Sequence, residues 1–329
     1  MPVPAQDGHR ALFDYQQPYQ KPLLGPPVYS HGGSGALEHE RDSTVELFIV
    51  DAFTSDRFKG NPAGVCLPED RLPEKVCQSI AAELNLSETA FIHPVERTSD
   101  DIPRFGLRWF TPQTEVDLCG HATLATAKVI FQEVGVDSEV LAFDTRSGPL
   151  YAHRIGSAVR IDLPAAPTRP TKPPEGLIEA LGPQAGTPKN IEITSGSISK
   201  LLVELEDEAK VRAVQPDFKG LRAIKDKPEF NGVIVTAKDG TGLERGDGSH
   251  APDFVSRYFA PWVGVDEDPV TGAAHTALGP YWSKRLDKNP LRAHQLSARG
   301  GELMVKVEGD RVHLTGEAVV VLAGTMRLD

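Results

Sequence analysis

The sequence predicts an α+β protein made of two pseudo-equivalent halves, and three observations carry that prediction. From residue 45 onward, short β-branched and aromatic runs alternate with helical patterns. One block of elements then recurs in the same order in the second half of the chain. A proline-dense segment at 164–190 stands between the two copies as a natural linker.

Residues 1–44 are rich in Pro, Gly, Gln and His and show no periodicity, which predicts a flexible N-terminal extension. Its His9, His31 and His39 read as loop residues, because no two share a ligand-like spacing. "VELFIVDAF" (45–53) reads as a strand, and "GNPAGVCLP" (60–68) as a turn running into a second strand. "PEKVCQSIAAELN" (73–85) opens on Pro-Glu and places Val76, Ile80 and Leu84 on one helical face. Strands follow at 89–95 and 104–112, then a helix over 121–135 closed by Gly135, then strands at 139–145, 148–155 and 158–164.

The block 107–133 can be laid on 256–286. Arg108-Trp109-Phe110 falls on Arg257-Tyr258-Phe259, Pro112 on Pro261, and Val116-Asp117 on Val265-Asp266. Gly120 then meets Gly272 after three extra residues, and the strand-turn-strand of 144–163 answers that of 297–314. The expected layout is therefore a first domain at 45–163, a linker at 164–190 and a second domain at 191–329, with a ligand cleft between the domains.

Composition narrows the function classes. A net charge of −11 offers no basic stripe for a phosphate backbone, so no nucleic-acid partner is expected. No run approaches the roughly 20 apolar residues of a membrane helix, and the N-terminus lacks a secretory apolar core, which predicts a cytoplasmic protein without membrane association. Three cysteines without CxxC spacing, Cys66, Cys77 and Cys119, predict free thiols and no metal site. Neither a GxGxxG nor a phosphate-loop fingerprint occurs, so no cofactor is expected.

What remains is proton chemistry. Each half supplies the start of a helix, at His121 and near Ala273, whose free N–H groups and dipole attract an anion. "NLSETAFI" (85–92) sets Glu88 on a short connection between a helix end and a strand start. A carboxylate closed into an apolar cleft has a raised pKa, which suits it to move protons near neutral pH. Plain structural readings stand beside this one. Glu88 also fits a solvated turn or a cap, His121 a helix start, and Asp268, before Pro269, a turn or a cap. Cys119, Cys66 and Cys77 also fit a core of small apolar side chains. His275 reads as structural or at the pocket edge. Trp109, Tyr258 and Trp262 read as packing residues, Trp262 with reach towards the cleft.

"VDAFTSDRFKGNPAGVCL", "NLSETAFI", "RWFTPQTEVDLCGHATLATA" and "DEDPVTGAAHTALGPYW" together resemble the phenazine-biosynthesis PhzF-like family, within the diaminopimelate epimerase fold. The resemblance covers roughly residues 45 to 329. It implies two similar halves, each a curved mixed β-sheet or barrel around a central helix, and a homodimer. It implies cofactor-free isomerase chemistry of biosynthetic or secondary metabolism on a small molecule, with Glu88 as general acid/base. Asn61, Gly120, His121, Asp268 and Gly272 would line the substrate, with Ala273 where family members commonly carry serine. Epimerases of this architecture use two thiols, one at each glycine turn. Here Cys119 has Thr271 as its repeat mate, which favours a single-carboxylate isomerase. The alternatives are a non-catalytic small-molecule binder that kept the fold, and a catalyst of rearrangement or cyclisation.

Overall fold

A computed structural model describes residues 44–95, 102–195, 199–224, 230–239 and 251–328. The first half contains β1 (Thr44–Ala52), β2 (Asn61–Leu67), α1 (Glu74–Leu84), β3 (Glu88–Pro94), β4 (Arg104–Phe110) and β5 (Glu115–Val116). It continues with α2 (Gly120–Gln132), β6 (Val140–Thr145), β7 (Gly148–Ile155) and β8 (Ala158–Pro164). Then come β9 (Thr168–Pro170), α3 (Leu177–Ala180), β10 (Asn190–Thr194), β11 (Ser199–Glu204), α4 (Glu208–Ala213) and α5 (Phe218–Ala223). The chain finishes with β12 (Phe230–Lys238), β13 (Phe254–Ala260), β14 (Val265–Asp268), α6 (Gly272–Leu286), β15 (Leu291–Gln295), β16 (Gly301–Glu308), β17 (Arg311–Gly316) and β18 (Ala318–Arg327). The expected extension at 1–44 and the loops 97–104 and 240–251 lie outside the described residues, apart from 44, 102–104 and 251.

The repeat seen in the sequence is a repeat of strand pairing. In the first half β1 pairs antiparallel with β2, β2 parallel with β3, β3 antiparallel with β4, β4 parallel with β6, then β7 and β8 follow antiparallel. The second half repeats the series with β10, β11, β12, β13, β15, β16 and β17. Each half then hands a strand to the other: β9, which follows the first half, pairs with β10, and β18, which follows the second, pairs with β1. A third seam joins β8 to β17. The proline-dense segment read as linker thus contains β9 and α3.

Side-chain periodicity places the core. On β13, Phe254, Tyr258 and Ala260 face the cluster around α2 and α6, whereas Val255 and Phe259 face a second cluster under α3, α4 and α5. In the first half Trp109 belongs to the inner cluster, and Phe110 to an outer one under α1. Helix α2 is buried along twelve consecutive residues, Gly120 to Phe131, as a helix enclosed by sheet must be. Its last turn ends before the expected boundary, at Gln132, and Gly135 takes the positive φ of 74° that its turn requires.

Strand register corrects one part of the repeat alignment. Trp109 lies opposite Val116, and its mate Tyr258 lies opposite Asp268. Structurally, therefore, Asp268 replaces Val116 and Thr271 replaces Cys119, with equal spacing to the helix. The three extra residues sit earlier, in the turn that holds the short 3-10 segment Pro261–Val263. Asp268 is a substitution within the repeat and lies outside the insertion.

Candidate active site

Glu88 opens β3, three residues after the left-handed Asn85 that ends α1 (φ 50°). That tight exit fixes the direction of its side chain. Its Oε2 lies 3.4 Å from His121 Nε2, in the first turn of α2. Ser87, which the sequence reading passed over, links Asn61 to the same imidazole. Its Oγ donates to Asn61 Oδ1 at 3.3 Å and sits 3.4 Å from His121 Nε2.

Asn61 is the hub between the halves. Its Nδ2 donates to Asp268 Oδ1 at 2.8 Å and to the Val270 carbonyl at 2.9 Å, and lies 3.3 Å from His121 Nδ1. Thr271 Oγ1 donates to the other Asp268 oxygen. Gln295, on β15, locks this second turn: its Oε1 accepts from Thr271 N at 2.9 Å, and its Nε2 donates to the Asp268 carbonyl at 2.7 Å. No local signal in the sequence pointed to Gln295, because its role depends on a strand 24 residues downstream of Thr271.

Electrostatics follow from burial. Glu88 is pushed up to about 7 by desolvation first and by the nearby Asp268 charge second. Asp268 rises to about 6, again chiefly through burial, although Thr271 and Asn61 oppose the shift. Among the described residues neither carboxylate pairs with a lysine or arginine. Burial drops His121 to about 3, so its contact with Glu88 is a neutral hydrogen bond and no ion pair forms at neutral pH. A ring protonated on Nε2 donates to Glu88 and turns the Nδ1 lone pair towards Asn61 and Cys119. Cys119 Sγ lies 3.5 Å from that Nδ1, and desolvation holds its thiol well above the usual range. It is a protonated thiol packed against the site, the plainer of its two readings.

The two helix starts meet here. The N-caps Cys119 and Thr271 are both extended, and neither side chain caps its helix. The Gly120 Cα lies 3.4 Å from where a Gly272 β-carbon would be. First-turn N–H groups of a 13-residue and a 15-residue helix therefore converge beside Glu88 and Asp268.

The structure brings Asn61, Glu88, Gly120, His121, Asp268 and Gly272 together. Ala273 is the second residue of α6 and offers a backbone N–H but no side-chain donor. The reach of Trp262 towards the cleft is corrected, and of the two readings of His275 the structural one holds. Trp262 stacks edge-on against Phe230, centroids 5.3 Å apart, on the outer cluster and away from the cleft. His275 is fully buried beside Phe254 and bonds back to the Thr271 carbonyl, so it belongs to the core. An open concavity of about 540 Å³ lies elsewhere, on α3 and α5, lined by Glu175, Glu179, Asp217 and Ile224. None of the expected site residues lines it.

One mixed sheet wrapped in two similar halves around the buried helices α2 and α6 is the α+β fold of the epimerase-like proteins. The chain belongs to the phenazine biosynthesis-like (PhzC-PhzF) family, whose model matches residues 50–324. An uncharacterized isomerase of Pseudomonas aeruginosa is 45% identical over 287 residues, covering 86% of this chain and 99% of that protein. A PhzF-family crystal structure from Enterococcus faecalis superposes with a TM-score of 0.75 at 40% identity, covering 87% of this chain and all of that one. A predicted epimerase from P. aeruginosa shares the fold with a TM-score of 0.63 at 20% identity, covering 86% and 99%. The chain is an enzyme of the isomerase class. No described helix is long and apolar enough to cross a membrane.

Proposed function

We propose that the chain moves a proton on a small carboxylate held between the two glycine turns, with Glu88 as the acid/base. The observation that carries this reading is a carboxylate poised near neutrality by burial, beside two unopposed helix N-termini. The helix starts hold the anionic end of the substrate. Glu88, ionised, takes a proton from a C–H activated by a neighbouring carbonyl or double bond, and returns it to a different carbon on the same face. Nε2–H of His121 orients the ionised carboxylate, and Asn61 ties that side of the cleft to Asp268. Cys119 is protonated and its mate is Thr271, so a thiol pair working on opposite faces has no support from the residues present.

The test is hydrogen exchange. Wild type and Glu88→Gln are incubated in deuterated water with a panel of cyclic and acyclic amino- and hydroxycarboxylates, and label is read by mass spectrometry. Wild type is expected to label one carbon position, and the variant to lose about 10²–10⁴-fold in rate. Exchange by Glu88→Gln at the wild-type rate would remove Glu88 from the chemistry. Tight binding without any exchange by wild type would favour the non-catalytic alternative, which the alanine at position 273 keeps in view.

A further inference from the structure

Tyr258, which the sequence marked only for packing, faces the cleft. It lies directly across from Asp268 in the β13–β14 pair, so both side chains leave the same face of the sheet. Its ring passes over Gly232, where a β-carbon would fall 2.2 Å from the phenol oxygen; glycine there gives the side chain room to reach its position. The residue is only 6% exposed, yet its hydroxyl makes no hydrogen bond among the described residues. Trp109, at the same place in the first half, has an indole nitrogen sealed in the core without a partner. A buried hydroxyl without a protein partner calls for water or a ligand group to satisfy it. Burial, then the charges of Asp268 and Glu88, hold the phenol well above its ordinary range, so it remains an O–H donor.

We infer that Tyr258 sets substrate choice, donating its hydroxyl proton to a neutral oxygen, a hydroxyl or a carbonyl, on the carboxylate bound in the cleft. This rests on the reading of the cleft as the substrate site. An anionic group at that position would be repelled by both Glu88 and Asp268, and a neutral oxygen would not. The carboxylate of the ligand is left to the helix starts.

The experiment uses pairs of small carboxylates identical but for one hydroxyl, with wild type, Tyr258→Phe and Glu88→Gln, each checked for fold by circular dichroism. Wild type is expected to exchange deuterium into the hydroxylated member in preference, and Tyr258→Phe to lose about tenfold of that preference. Calorimetric binding of the same pairs to wild type and Tyr258→Phe reads the preference without turnover. An unchanged preference in Tyr258→Phe, an equal loss on both members, or no hydroxyl preference in wild-type binding overturns the inference. Exchange that persists in Glu88→Gln with the preference intact would instead sink the Glu88 reading and leave Tyr258 standing.

Discussion

The two halves differ in one layer and agree in the other. On the outer face the repeat is kept. Arg108 sits 5.0 Å over Phe110 and grips Glu115 through two nitrogens; Arg257 sits 4.9 Å over Phe259 and grips Glu267 in the same way. On the inner face, near the helix starts, nearly every mate has changed: Trp109 to Tyr258, Val116 to Asp268, Cys119 to Thr271. By the strand register Gln295 takes the place of Thr145, whose hydroxyl merely closes its own turn. Duplicated scaffold and unlike site thus come from alternate residues of the same strands. Period-2 alternation lets one face diverge while the other keeps the architecture.

The largest expected effect comes from undoing that divergence. Asp268→Val gives the second half the side chain of the first, and leaves Asn61 and Thr271 without their acceptor. Deuterium exchange should fall about a hundredfold or more. The melting temperature should move little, because the lost hydrogen bonds are offset by relief of a buried carboxylate. Full activity in this variant would mean that the inner asymmetry has no chemical purpose.

The outer braces should respond more alike, though not equally. Arg257→Lys loses the two-pronged grip on Glu267 and the contacts to the Val211, Arg212 and Val214 carbonyls at the end of α4, costing about 1–3 kcal/mol in urea unfolding. Arg108→Lys should cost less, since Arg146 still reaches Glu115 at 2.7 Å. Equal losses would show that the extra contacts at each brace are energetically idle.

A pH experiment separates Glu88 from the scaffold. Its folded-state pKa, near 7, stands above the ordinary 4.5. The folded protein therefore binds this proton more tightly than the unfolded chain, and stability falls as pH rises from 4.5 to about 7, then levels. Glu88→Gln removes that penalty. The variant should be more stable than wild type by roughly 2 kcal/mol at pH 8, the 21% exposure of the side chain having trimmed the value, and by nothing near pH 4. A gap that is the same at both pH values would mean that Glu88 does not titrate in this range.

Much of the fold was legible because its signals are local. Helix α1 announced itself through Val76, Ile80 and Leu84, and β7 and β8, whose burial alternates, through their apolar spacing. Glu88 and the helix starts at His121 and Ala273 could be read from the residues themselves, on one short connection and two glycine turns, whereas Asn61, Gly120, Asp268 and Gly272 entered only through the family resemblance. What escaped notice is non-local. Asn61 joins Asp268 across 207 positions, Gln295 reaches Thr271 from another strand, and the exchanged β9 and β18 pair with the half they do not follow. The three-residue excess was misplaced because only register, which no single strand encodes, matches Val116 to Asp268 in place of Val265.

The smallest effect tests whether the glycine turns still form a symmetric contact under their unlike neighbours. A β-carbon on Gly120 would lie 3.3 Å from Leu163 Cδ1 and 3.4 Å from the Gly272 Cα; one on Gly272 would lie 3.4 Å from the Gly120 Cα and 3.5 Å from Leu314 Cδ1. Either alanine alone meets little more than ordinary contact, and alanine is the better helix former, so each single variant should stay within about 0.5 kcal/mol of wild type. Together the two methyl groups compete for one gap, and the helix starts must part. The double variant should be less stable than the sum of the singles by about 1 kcal/mol or more in a urea double-mutant cycle. Additivity would mean that the helix starts separate freely, and that the close approach of the two halves is not what holds the cleft shut.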